Sequence, residues 1–410
     1  MNDSTQVTPR NAAWPTGMII VGGSLLAVSA VGFFRVPLLP AMGAELAMNP
    51  TALSLVTTLF AAGRLISDVP AGRLADVLPL SRLLAAASLA AAAGSALMAI
   101  AGGAFQVYLG AALLGAGSAT ANTTGMTFFS TATGPSRRGK SMAVYSSALL
   151  GGQSLGPAAS GLLSSLGSWR IASAAGAATS VVVALALFVS RALASPSEDR
   201  GAHATAISAP SPRGPGSPGG RTRPGERAIL NSVSFASFFA LGSIPQTLVP
   251  FIGADAFGLS VRAIGLALGL GGVFRFAGSL AGGVASDRFS RKPVLVAGLA
   301  IMTAGIVLLA PRAGTALWLV AIALFSAGSF AIAVSATVLA DRTHAAVLGR
   351  RFGTYRLAGD LGLMAGPVTA GFLYTRAGQP AAVLAVAALL GLCTLACAVF
   401  LTGQQRRATR

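Results

Sequence analysis

Apolar stretches long enough to cross a bilayer recur along almost the whole chain, with only short connectors between most of them. A helix needs about 20 apolar residues to span the hydrocarbon core. Stretches of that kind lie near residues 17–40, 51–71, 83–102, 106–128, 141–165, 170–190, 229–252, 261–284, 293–311, 316–340, 352–375 and 380–402. Lipid offers no partner for a backbone N–H or C=O, so each stretch must satisfy its own backbone as a helix. The expected fold class is therefore an all-α membrane protein, with 12 transmembrane helices in two pseudo-symmetric six-helix halves. Composition agrees: charged residues make up 10% of the chain, against roughly 25% in soluble domains.

A net charge of +18 would point to nucleic acid in a soluble protein. Here its placement matters more. Of 29 Lys and Arg, 21 fall in the termini and even-numbered connectors, four in odd-numbered connectors (Arg170, Arg262, Arg312, Arg376) and four within spans. That bias places both termini in the cytoplasm. The first span is too long and too late for a cleaved signal, so it is read as a retained helix. Arginine outnumbers lysine 27 to 2, which fits a bacterial protein of the cytoplasmic (inner) membrane.

Several chemistries find no residues to carry them. Cys393 and Cys397 lie one turn apart in the last span and read as packing, while His203 and His344 fall in connectors. No metal cluster, catalytic constellation or nucleotide-phosphate loop appears, so neither an enzyme nor a cofactor is expected. Energy should come from an ion gradient, and proton handling falls to carboxylates. The expected partners are a small-molecule substrate, protons and the lipid bilayer, with no nucleic acid, and the working unit is expected to be a monomer.

The organisation reads as a cytoplasmic tail at 1–16, a first half at 17–192, a basic Pro/Gly/Ser-rich linker at 193–228, a second half at 229–402 and a tail at 403–410. Such a linker neither packs nor spans. The halves repeat each other. Arg64, Gly72 and Asp76 recur 211 positions later as Arg275, Gly283 and Asp287. Tyr145, Gly152, Gly156, Pro157 and Gly161 recur 210 positions later as Tyr355, Gly362, Gly366, Pro367 and Gly371. Internal repeats of this kind mark secondary transporters.

The loop "GVASDRFSRK" (283–292) resembles the G-x-x-x-D-R-x-G-R-K signature of the major facilitator superfamily, through Gly283, Asp287, Arg288, Arg291 and Lys292, with Ser290 in place of a glycine. Its first-half counterpart "GRLADVLPLSR" keeps Gly72 and Asp76 but has Val77 where a base is usual. A carboxylate at that point can face the positive N-terminus of a neighbouring helix and latch the cytoplasmic side. "GQSLGPAASG" (152–161) is similar to the fifth-span signature of the family's drug/proton antiporters, and "GLMAGPVTAG" (362–371) repeats it. Both a hinge and a plain packing device stay open for these glycines and prolines. In the family's fourth-span pattern an arginine precedes a G-x-G, whereas here Ala111 stands in its place before Gly115 and Gly117.

Charges inside spans are costly and are functional candidates by default. They are Arg35, Arg64, Asp68, Arg275, Arg356 and Asp360. At about 1.5 Å per residue, Arg64 and Asp360 lie at similar depth in spans 2 and 11, as do Asp68 and Arg356. The family resemblance implies that spans 2 and 11 meet between the halves, so two interhelical pairs are expected, Arg64 with Asp360 and Asp68 with Arg356, closing the cytoplasmic side; two intrahelical pairs are the alternative. Protonating a carboxylate would ease their separation. Arg275 reads as a gate or substrate residue that could also bond Tyr145 or Gln153. Arg35 reads as a substrate residue or one that snorkels to the outer head groups.

The cavity is expected to be lined by Phe33, Phe34, Arg35, Asn122, Gln153, Phe235, Phe238, Gln246, Phe325 and Phe330. Rings with few polar anchors favour an amphipathic organic cargo. The expected activity is proton-coupled efflux (antiport) of such a compound by alternating access. Uptake or exchange of an organic anion held by Arg275 and Arg35 is the alternative, and a non-transporting membrane sensor a third reading.

Overall fold

A computed structural model describes residues 13–133, 137–190 and 224–401. Among the described residues every regular element is a helix: α1 (Ala13–Glu45), α2 (Pro50–Val77), α3 (Leu80–Ala99), α4 (Ala104–Thr131), α5 (Arg138–Ser164) and α6 (Trp169–Val189), then α7 (Pro224–Ser243), a π-helical turn (Ile244–Leu248), α8 (Val249–Phe257), α9 (Val261–Arg288), α10 (Arg291–Val307), α11 (Thr315–Gly328), α12 (Phe330–Asp341) and α13 (Ala345–Phe400). Each expected span falls on helix, the seventh and tenth across more than one element and the last two together on α13. Nine helical stretches are long and apolar enough to cross a membrane, among the described residues. The Ser- and Gly-rich α5 and the 17-residue α10 fall short of that standard.

Helix ends follow local chemistry. Asn49 caps α2 by accepting from the Ala52 N–H at 2.9 Å, with Pro50 behind it, and proline at the first position costs no hydrogen bond. Ser260 caps α9 in the same way. The 56-residue α13 holds two expected spans: at Gly378 the backbone takes φ 80°, which favours glycine, and Pro380 restarts the helix. Gln379 fastens that corner, its Nε2 donating to the Leu309 carbonyl at 2.8 Å while its Oε1 accepts from Arg312 Nε at 3.1 Å.

The helices depart from expectation at the start of α7 and within spans 7 and 10. Most of the linker expected at 193–228, and most of both tails, lie outside the described residues. Helix α7 starts at Pro224, inside the expected linker. Proline opens it and Glu226 sits in the first turn, where a helix favours an acid; that carboxylate pairs with Arg342 at 2.7 Å. Spans 7 and 10 were read as continuous helices, but the first contains the π turn and the second breaks at Ser329. At the π turn Pro245 has no N–H to give. Thr247 Oγ1 and Gln246 Nε2 then donate to carbonyls five residues back, on Gly242 and Leu241.

Two hydrophobic clusters carry the packing. One is built from α1 to α6 around Leu25, Phe60, Leu114 and Phe129, joined by Phe251; the other is built from α7 to α13 around Phe239, Leu299, Phe325 and Leu390, joined by Val36. The repeated glycine motifs sit at matching places in both. A Cβ added at Gly152 or Gly156 would fall 2.3 Å from the carbonyls of Leu26 and Ala30 on α1. At Gly362 and Gly366 it would fall 2.2 and 2.3 Å from those of Phe235 and Phe239 on α7. The third glycine of each motif reaches across clusters instead, Gly161 to Val261 and Gly371 to Ser54 and Pro50. Close approach of backbones is thus what these glycines provide.

Bonds between the two sets of helices concentrate away from the motif loops. Thr51 Oγ1 donates to Thr375 Oγ1 at 2.9 Å, Thr57 Oγ1 to the Gln246 carbonyl at 3.1 Å and Thr58 Oγ1 to the Met364 carbonyl at 3.0 Å. At the motif-loop end a Cβ added at Gly72, Gly283 or Gly353 would meet nothing within 4 Å. One end is close-packed and the other is loose.

Gly156→Val and Gly366→Val should each lower the stability of the purified protein by about 1–3 kcal/mol or more through overpacking. Gly353→Ala should leave it unchanged or raise it by up to about 1 kcal/mol. Thermal unfolding of the three variants checks this ordering.

Candidate functional site

Between the two sets of helices lies a cavity of about 140 Å³. Helices α1 and α2 contribute Phe33, Val36, Phe60 and Arg64, and α5 contributes Gln153, Ser154 and Pro157. Across from them stand Phe238, Pro245 and Gln246 from α7 and the π turn, Gly271, Gly272 and Arg275 from α9, and Phe325, Ser326 and Ser329 around the α11–α12 break. The two irregular turns of the second half therefore both open onto the cavity. Two arginines lie in its wall and no acid does.

Five expected wall residues stand there: Phe33, Gln153, Phe238, Gln246 and Phe325. Four others do not. Phe34 is one helical step, about 100°, from Phe33 and turns to Gly176 on α6. Asn122 accepts from the Tyr145 hydroxyl at 2.5 Å and ties α4 to α5. Phe235 packs on Phe239 at 5.9 Å and on the backbone around Gly362. Phe330 fills the space over Gly282 and Gly298.

Arg35 is also corrected. It neither snorkels nor lines the cavity: it is 1% exposed, beneath the wall. Its Nη2 donates to Gln246 Oε1 at 2.7 Å, another N–H donates to the Gly32 carbonyl, and the guanidinium lies 3.7 Å from the Phe60 ring centroid. Its Nε has no partner among the described residues. Cation–π contact and a buried carboxamide replace the water this charge has lost.

The other charges form two groups. Arg275 Nη1 donates to Gln153 Oε1 at 3.1 Å, a bond between α9 and α5. Nearer the motif loops, Asp68 Oδ2 meets Arg356 Nη2 at 3.3 Å, with side chains 15% and 49% exposed. Asp68 Oδ1 also accepts from Thr123 Oγ1 at 3.2 Å. Of the two expected interhelical pairs, Asp68–Arg356 is made and Arg64–Asp360 is not; neither intrahelical pair forms. The cause is the packing of α2 on α4. Gly63 and Gly115 let the two backbones touch, which brings Ser118 within 2.9 Å of Arg64 Nη1. Asp360 makes no hydrogen bond or ion pair with the described residues. The charged groups that act on it are Asp68, Arg356 and Arg64.

The two carboxylates of the loop motifs latch nothing among the described residues. Asp76 and Asp287 are exposed and make no ion pair among the described residues. Arg288 is likewise exposed, while Lys292 is half-buried. Arg291 pairs with Asp341 at the end of α12 and donates to the Thr337 carbonyl at 3.2 Å. Pro157 lines the cavity and its carbonyl faces Gly265, whereas Pro367 packs on Gly242.

Sequence reasoning passed over Phe60, Ser118, Ser326, Ser329 and the Glu226–Arg342 pair. Phe60 stood one turn before Arg64, on the same helix face, which was a usable signal. The serines gave none.

The Major Facilitator Superfamily profile matches residues 20–247 and 228–410. Over 122 residues, 29% of each chain, the sequence is 35% identical to the tetracycline resistance protein, class B, of Escherichia coli, so the match spans under a third of that relative's length. Among solved structures, a bacterial homolog of the human lysosomal transporter Spinster, inward-facing and unoccupied, superposes with a TM-score of 0.74 at 15% identity over 96% of this chain and 98% of that one. A peptide transporter in complex with sulfate superposes with a TM-score of 0.73 at 15% identity over 93% and 94%.

Gln246→Leu should destabilise the protein by about 3 kcal/mol or more, because it strands a buried guanidinium. Thr57→Val, which removes a neutral hydroxyl from the Gln246 carbonyl, should cost about 1 kcal/mol. Thermal unfolding of the two purified variants reads the difference.

Proposed function

The chain belongs to the Major Facilitator Superfamily, and we propose that it is a proton-coupled antiporter that exports a small amphipathic organic compound by alternating access. As a multi-pass membrane transporter of this family it moves a small molecule and is not an enzyme. The rest is our reading. It works as a monomer in a bacterial inner membrane with both termini in the cytoplasm, draws on the proton gradient and uses no cofactor. Its moving bodies are the halves 17–192 and 229–402, with the cavity as the central site.

One observation carries the reading: Asp360, a carboxylate without a hydrogen bond or ion-pair partner among the described residues, stands beside a made ion pair, Asp68–Arg356, at the loose end. Two arginines and two aspartates stand here, and of the pairs they could form only Asp68–Arg356 is made among the described residues. Protonating Asp360 removes one negative charge from the cluster and with it the pull on Arg64 and Arg356. Deprotonation offers Arg64 a charged partner in place of Ser118, which would draw α2 and α13 together and shut the motif-loop end. Proton occupancy and the state of that end are thereby linked, which is what coupling requires. The likeness to a tetracycline resistance protein supports export as the direction and makes tetracycline the first cargo to try.

In proteoliposomes with an imposed pH gradient, the wild type should accumulate tetracycline and stop when the gradient is collapsed. Asp360→Asn should lose gradient-driven accumulation while retaining tetracycline counterflow. Accumulation that ignores the gradient, or an Asp360→Asn variant that still responds to it, would contradict the reading.

A further inference from the structure

We propose that the cavity is built for an organic anion, a compound with a carboxylate or similar oxyanion on an aromatic or aliphatic body, held by Arg275 and Arg64. The inference rests on the reading of this cavity as the transport site and adds the charge class of the cargo.

The first support is a count of donors. A guanidinium carries five N–H groups. Among the described residues, Arg275 uses one, to Gln153 Oε1, and Arg64 uses one, to Ser118 Oγ. Both acceptors are neutral, and neither arginine forms an ion pair with a described residue. Each side chain nonetheless lines the cavity, so its remaining donors have the cavity to serve. A fork of parallel N–H groups matches a carboxylate better than any other common ligand group.

Second, the wall offers no carboxylate to a cation. It contains no Asp or Glu. The acids of the region, Asp68 and Asp360, lie outside it, and Asp68 is already committed to Arg356. A cationic cargo would enter against two guanidinium groups that hold only neutral acceptors, with Arg35 as a third immediately below. Like charges at close range in a low dielectric cost several kcal/mol, so the field by itself sorts cargo by sign.

Third, the remaining wall suits an apolar body. Phe33, Phe60, Phe238 and Phe325 contribute ring surface. A dry cavity of about 150 Å³ holds one benzene, and the present one, about 140 Å³, takes at least a single ring. Arg35 is not one of the holding groups: its bonds to Gln246 and Gly32 spend it on joining α1 to the π turn.

The test uses three probes of one shape, 4-phenylbutyrate, 4-phenylbutanol and 4-phenylbutylamine, titrated calorimetrically into the full-length protein in nanodiscs of neutral lipid. The carboxylate should bind about tenfold or more tighter than the alcohol, the gain of one charge-assisted pair, and the amine should bind no better than empty nanodiscs. Arg275→Gln should remove that advantage and Arg275→Lys should keep most of it. Arg64→Gln, a second variant in a different helix, should reduce it as well. Equal binding of carboxylate and alcohol, binding of the amine, no binding of the carboxylate, or unchanged carboxylate affinity in both glutamine variants overturns the proposal. No gradient is present in this assay. A preference for carboxylate with gradient-blind flux would therefore fail the antiport reading alone, and gradient-driven flux without that preference would fail this one alone.

Discussion

A charge inside hydrocarbon must be given something to hold, and the cost of failing to do so organises this molecule. Placing an arginine at the centre of a membrane helix costs on the order of 3 kcal/mol even by lenient measures. Each intramembrane arginine here meets that cost differently. Arg35 is closed in by Gln246, Gly32 and the Phe60 face. Arg64 and Arg275 each hold one neutral side-chain acceptor and turn to the cavity. Arg356, half-exposed, holds a carboxylate of the other helix set. The deeper the guanidinium, the more fixed its bonds; the two beside the cavity keep donors to spare.

That gradient of commitment maps onto what moves. At the close-packed end, third glycines, threonine hydroxyls and the Arg35–Gln246 clasp join backbones that touch. Rearranging it means breaking many short contacts at once. At the loose end a long, partly exposed ion pair, the one seen there between the two sets of helices among the described residues, bridges them, an interaction of small net worth in water-accessible surroundings. A proton added to or taken from Asp360 changes the charge of that cluster by one, a perturbation comparable in size to the pair itself. Small energies decide the state only where small energies hold it.

The fold was legible in the sequence because lipid imposes a simple rule. Runs of about 20 apolar residues must be helices, and a register of 210 or 211 positions linked Gly152, Gly156 and Pro157 to Gly362, Gly366 and Pro367. The form of the π turn and of the break at Ser329 was not legible: Pro245, Gln246 and Thr247 in one and Ser326, Gly328 and Ser329 in the other interrupt the apolar run, but such residues mark an irregularity without fixing its kind. Within the site, span charge and depth pointed to Asp68–Arg356 and to Arg275 beside Gln153. They failed for Arg64 because its partner was chosen by how closely α2 packs on α4, a consequence of Gly63 and Gly115 that no depth estimate contains. Phe34, Asn122, Phe235 and Phe330 were placed by residue type and span alone, and helix rotation, which those do not fix, sent them elsewhere.

The central claim is that the proton on Asp360 sets whether the loose end is open or shut. Spin labels on cysteines replacing Gly72 and Gly353, in a background with Cys393 and Cys397 changed to serine, would report the distance across that end by pulsed electron resonance in nanodiscs. The account predicts a longer distance at acid pH, a shorter one at alkaline pH, and the long distance at every pH in Asp360→Asn. A distance distribution that does not respond to pH, or one that shifts equally in Asp360→Asn, would contradict it.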